Sequence, residues 1–160
     1  MSAIGRMWLV GLLSAALMVM VAAPLSAQSD EAFIQYRQKV MGSQGANMGA
    51  IGDILKHQLP LTENIAGHAR NIEVTAGLIA AAFKKNISAG ATDAKAAIWQ
   101  NWDEFADMAK NTADKAAALA AAAQSGDMSR VGPAVKALGG TCGDCHKKFR
   151  KPKEESYKNK

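Results

Sequence analysis

The sequence predicts an all-α domain, an antiparallel up-down-up-down four-helix bundle. Three observations lead there. Strand signals are weak, with few aromatics and no long alternating runs of Val, Ile or Thr. Alanine, the strongest helix former, is abundant. Helix breakers fall at spaced points and divide the chain beyond residue 27 into four helical stretches. The loops between them are short, which makes successive helices antiparallel neighbours.

Residues 1–27 read as a secretory signal peptide. Arg6 supplies the positive start, "MWLVGLLSAALMVMVAA" the apolar middle, and "PLSA" a turn with small residues before Gln28. The apolar run falls short of the roughly 20 residues of a spanning helix, and no later stretch is long and apolar enough to cross a bilayer. Export to the periplasm is therefore expected. What remains, 28–160, is one domain by size and long enough to bury a single core. The formal net charge of +5 falls to about +4 without Arg6. Much of it lies in the C-terminal "KKFRKPKEESYKNK".

The first helix is expected from about Asp30 to His57. Phe33, Arg37, Met41, Met48, Ile51 and Leu55 recur at spacings that put them on one face. Gly42, Gly45, Gly49 and Gly52 cost helix stability but let something large approach the backbone. "QLPLT" ends it, because Pro60 has no N–H to donate. The second helix is expected from about Thr62, its N-cap, to Asn86, with Ile65, Ile72, Leu78, Ile79 and Phe83 as its apolar side. "NISAGATD" forms a loop. The third starts near Asp93 and runs through "AAIWQNWDEFADMAK" to about Gln124, where "SGD" closes it. Asp127 caps the fourth, which carries Val131, Val135, Leu138, Cys142 and Phe149. Pro133 falls in an early turn, where a missing N–H does little harm. There is no internal repeat and no phosphate-binding glycine loop.

Both cysteines of the chain lie in "TCGDCHKKFR", as C-x-x-C-H at Cys142, Cys145 and His146. A disulfide would suit an exported protein but would close a very small loop and staple nothing distant. A thioredoxin-type pair needs strands, which this pattern lacks. Zinc needs at least one more ligand, and there is no second cysteine pair. Covalent attachment of one c-type haem remains, with the two thiols reaching the vinyl groups and His146 as proximal ligand to the iron.

Small c-type cytochromes usually carry this motif near the N-terminus, before a distant Met. Here it lies on the last helix. In "YRQKVM" (36–41), "AKAAIWQNWDEF" (94–105) and above all "LGGTCGDCHKKFR" (138–150), the chain resembles the class II c-type cytochromes, the cytochrome c prime family. Cytochrome c′ is itself a standard example of the up-down-up-down bundle, so resemblance and fold are not independent expectations.

The resemblance implies one of two branches. In one, the distal side is apolar, the iron is five-coordinate and high-spin, and nitric oxide or carbon monoxide can bind. In the other, a first-helix methionine ligates the iron, and the low-spin haem serves electron transfer. Met41 occupies that distal position, with a soft thioether that suits haem iron. Both branches can show methionine here, and Met41 can equally pack over the ring. The following "GSQGANMGAIG" resembles the Met-ligated branch, so the leading expectation is a periplasmic electron carrier with iron held by His146 and Met41. The gas-binding form is the alternative. No bond-making reaction on a substrate is expected.

Met48 reads as core or haem wall, and His57 and His68 as solvent-exposed. Arg37, one turn before Met41, is expected to meet a haem propionate with two parallel hydrogen bonds. The resemblance puts Arg150 near the haem edge. Trp99 and Trp102, three apart on one face, read as core. The lysine tail could steer docking onto an acidic redox partner or simply be a solvated helix end. Dimers through the first two helices are common in the family, so a homodimer is a further possible partner.

Overall fold

The computed structural model describes residues 29–159. The signal peptide expected at 1–27 lies outside the described residues. Six α-helices follow: α1 Asp30–Lys56, α2 Asn64–Gly77, α3 Ile79–Phe83, α4 Ala97–Gln100, α5 Trp102–Gln124 and α6 Met128–Phe149. Among the described residues there is no strand, only one isolated bridge between Ala94 and Arg150. No described helix is long and apolar enough to cross a membrane.

The ends of α1 follow from local chemistry. The Ser29 side chain accepts from the Ala32 N–H, Asp30 and Glu31 sit in the first turn, and Lys56 sits in the last. The fully buried stripe is Ile34, Arg37, Val40, Gln44, Ile51 and Ile54. This is rotated from the expected face: Met41 and Met48 are only half-buried, on its flank. Each packs against a core cluster on one side and borders a cavity on the other, which is why periodicity and burial part company.

The second expected helix is broken. Thr62 does not cap it. α2 starts at Asn64 with no side-chain cap, and Leu78, whose N–H donates to the Thr75 carbonyl at 3.2 Å, separates it from the single turn of α3. Thr75 stands at this interruption. Its hydroxyl donates to the Asn71 carbonyl at 2.7 Å and to Ile72 at 3.2 Å, a pattern that bends helices, and Gly77 follows. α3 ends at Phe83 because tertiary donors claim the carbonyls there, Arg37 at Ala82 and Trp99 Nε1 at Phe83.

The third expected helix starts four residues late, with one break. The segment at Asp93–Lys95 cannot be helical because it pairs with the end of α6: Lys95 N–H donates to the Phe149 carbonyl at 3.0 Å and Lys151 N–H to Asp93 at 2.8 Å. Asn101 (φ −131°, ψ 51°) separates α4 from α5, and its side chain turns back onto the Ala97 carbonyl. Gly126, at φ 73°, takes the left-handed turn that closes α5. Asp127 caps α6 as expected, accepting from the Ser129 N–H at 3.0 Å.

α1 packs on α2, α2 on α5, and α5 on α6. The long helices thus form the four-helix bundle, but α1 and α6 are not closely packed on each other. The core has two parts. One gathers Val40, Ile79, Phe83, Ile98, Phe105 and Phe149; the other Ile51, Ile65, Ile72, Leu119, Val131 and Leu138. Phe105 centres the first, with ring centroids 5.3 Å from both Phe83 and Phe149.

Candidate functional site

A cavity of about 560 Å³ opens between α1 and α6. Cys142, Cys145 and His146 line it from α6, and Met41, Gln44 and Met48 from α1. Phe105, Ala109 and Thr112 form its α5 wall. Its size suits a cofactor-sized ligand, and its wall is mostly apolar. Spacings of three and four put both cysteines and His146 on one helix face.

Both cysteines are free, half-buried thiols. Cys142 packs against the second core cluster and Cys145 against the first, so the pair spans the junction of the two. Burial, then the neighbouring Cys142, pushes the Cys145 thiol up to about 11. Burial also raises Cys142, against hydrogen bonding that lowers it. His146 is surface-accessible in a residue sense, yet it lines the cavity. The protein packed around it, and then Arg150, hold its imidazole below the ordinary histidine value. It is therefore neutral near pH 7, the form that ligates a metal. Among the described residues, no group of three or more His, Cys, Asp or Glu side chains could hold a metal ion. Two thiols along a cavity wall, beside one neutral imidazole, fit a flat group attached at two points and ligated at a third.

Arg37 makes contacts that the sequence did not suggest. It lines the cavity and is only 2% exposed, but its guanidinium is committed to backbone. Nε donates to the Ala82 carbonyl and Nη1 to that of Ile87, both at 2.9 Å, and Nη2 donates to Lys85. Its cation lies over the rings of Phe83 and Trp99, at 4.8 and 5.4 Å from the centroids. Burial pulls the guanidinium below its ordinary value and the Asp30 charge pushes it back. Three of its five N–H groups thus hold the end of α3 and the loop after it. One N–H on each Nη is left for the expected pairing with a propionate.

Arg150 is at the cavity wall and reaches Asp93 at 3.4 Å. Met41 packs against the first core cluster and Met48 against the second. Trp99 and Trp102 also pack against the first cluster, as core residues. His57 is exposed. His68 is not fully so: it is half-buried, with Nδ1 2.9 Å from the Asn47 Oδ1 of α1.

The C-terminal tail forms a part of the site that sequence reasoning missed. α6 stops at Phe149, and residues 150–159 fold back toward the loop before α4. Asp93 is the anchor. Its carboxylate accepts from the Tyr157 N–H and the Ser156 hydroxyl, each at 3.0 Å, and from Arg150. Burial would raise this carboxyl, but those hydrogen bonds outweigh it and hold it below its ordinary value. Tyr157 and Lys158 thereby enter the cavity wall. Lys148 pairs with Glu104, and Lys151 donates to the Thr92 carbonyl. These lysines are tied down rather than trailing from a helix end.

A family model described as "Cytochrome C'" matches residues 32–150. The chain is 43% identical over 123 residues to a cytochrome c′ of Pararhodospirillum photometricum, covering 76% of this chain and 98% of that one. Among solved structures, a cytochrome c prime from Shewanella frigidimarina superposes with a TM-score of 0.72 at 30% identity, over 78% of this chain and 98% of that chain. A nitric oxide complex of a mutant cytochrome c prime from Alcaligenes xylosoxidans superposes with a TM-score of 0.69 at 27% identity, over 77% and 96%. The chain belongs to the cytochrome c′ family, and is accordingly an electron-carrying four-helix cytochrome with one covalently bound haem c.

Proposed function

We propose that this chain is an exported, periplasmic haem protein that binds nitric oxide or carbon monoxide in the cavity between α1 and α6. The carrying observation is the composition of that cavity. His146 is the one histidine in its wall among the described residues, and the sulfur-bearing residues across from it, Met41 and Met48, each pack into a hydrophobic cluster. That favours five-coordinate iron over the Met41-ligated form first expected. The family match and the nitric oxide complex of a similar structure support the same reading.

Cys142 and Cys145 would hold the group through two thioethers, and His146 would be its proximal ligand. When bound, haem c supplies a one-electron couple and an iron with one position open to a small gas. The residues do the rest. Phe105, Ala109 and Phe149 exclude water, and Met41 narrows the space across from His146 without bonding. The protein performs no bond-making reaction on a substrate. Lys158 in the cavity wall supports docking to an acidic redox partner. Exposed Tyr36 on α1 and Val74 on α2 support a homodimer through those helices.

The visible spectrum of the reduced protein tests this. A broad high-spin spectrum that changes on adding carbon monoxide is expected, in the wild type and in Met41→Leu alike. A sharp low-spin α band that ignores carbon monoxide and becomes broad in Met41→Leu would overturn the proposal in favour of methionine ligation.

A further inference from the structure

Nε2 of Gln44 is the one buried side-chain nitrogen or oxygen among the described residues without a hydrogen-bond partner. The residue is 8% exposed and lines the cavity. It lies three residues after Met41, on the same face of α1 and across from α6. Leaving an amide N–H buried and unpaired costs as much as losing a hydrogen bond, whereas an apolar residue of the same shape would cost nothing.

None of the polar groups around it accepts the Gln44 N–H. The Thr112 hydroxyl, from α5, donates to the Met108 carbonyl at 3.0 Å. Arg37 and the Asn47 amide nitrogen are themselves donors to backbone carbonyls and cannot accept the Gln44 N–H. Nothing on the protein side meets the Gln44 donor, and the open space beside it is the cavity.

We infer that Gln44 donates a hydrogen bond to the small ligand that the cavity takes, at the ligand's outer, electron-rich atom. This rests on the gas-binding reading and adds a selectivity to it. A mostly apolar wall admits any small gas, but a fixed donor prefers ligands whose outer atom carries negative charge, carbon monoxide less and cyanide more. Gln44 acts here as a positioning and selectivity residue, through contact with the ligand alone.

The test uses the haem-loaded protein, with carbon monoxide as the probe and Gln44→Leu and Gln44→Met as variants. Both replace the amide with an apolar side chain of similar volume, so either one that folds reports. A hydrogen bond to the outer oxygen lowers the C–O stretching frequency. The variants should raise that frequency and release carbon monoxide about three- to tenfold faster. A role in packing alone would leave the frequency where it was. A carbon monoxide complex whose stretch ignores the substitution overturns this inference and leaves the gas-binding reading standing. A wild-type protein that takes no carbon monoxide overturns both.

Discussion

Replacing Arg37 by methionine should destabilise the haem-loaded protein strongly while leaving the haem attached. The perturbation keeps most of the apolar stem and removes the fork. Three carbonyls lose their donor, those of Ala82, Lys85 and Ile87, and the bonds to Ala82 and Ile87 are buried. Each buried carbonyl left unpaired costs about 1–3 kcal/mol. Losing the cation over Phe83 and Trp99 adds about 0.5–1 kcal/mol. Against this, the variant no longer buries a charge, a desolvation cost of several kcal/mol that the native bonds offset. A net loss of about 1–4 kcal/mol remains, which for a domain of this size lowers Tm by about 4–15 °C. Circular dichroism melting reads the total. Hydrogen exchange at residues 82–88 locates it, since the end of α3 and the following loop should lose protection first. Arg37→Lys should fall between, because an ammonium keeps the charge but cannot bridge three carbonyls. A Tm within about 2 °C of the wild type would refute the structural role and return Arg37 to the propionate contact first expected.

Asp93→Asn should free the tail: exchange of the Tyr157 amide speeds up by about tenfold or more, because one charge-assisted anchor holds three donors. The Asp93 carboxyl is held below its ordinary value when folded, so its contribution is fully present above that ordinary value and lost as pH falls through the lower, folded one. Tyr157 protection in the wild type should therefore fall toward that of the variant in acid but not near pH 7; equal protection in both proteins at pH 7 would count against the anchor. Cys145→Ser should leave at most one thioether, read as haem that dissociates or stays on a single bond in denaturing mass spectrometry; two covalent bonds surviving would contradict the assignment.

Particular residues show how far sequence reading reached. Cys142, Cys145 and His146 were legible because their function is a spacing within one helix, and helix geometry turns spacing into position. Asp127 was legible because capping is a contact between neighbours. Arg37 was recognisable as a cation on the cavity side of α1, but its acceptors lie 45 to 50 residues away. The break at Leu78 had local signals in Thr75 and Gly77, which a strong apolar pattern masked. Gln44 carried a signal that was overlooked, a polar side chain three residues from Met41 in a stripe that packs inward. The Asp93 anchor had none, since Asp93 and Tyr157 stand 64 residues apart.

By itself, then, the sequence determined an all-α bundle and the kind of cofactor, and it put Cys142, Cys145 and His146 on one helix face. Each of these rests on interactions inside one helix or on the period of a helix. The tertiary structure alone decided that α1 and α6 stand apart around a cavity, that Met41 is packed into a core cluster, and that the tail folds back onto Asp93. Those outcomes depend on which distant donor reaches which acceptor first, and on what is left unpaired afterwards. Helical periodicity carries neither.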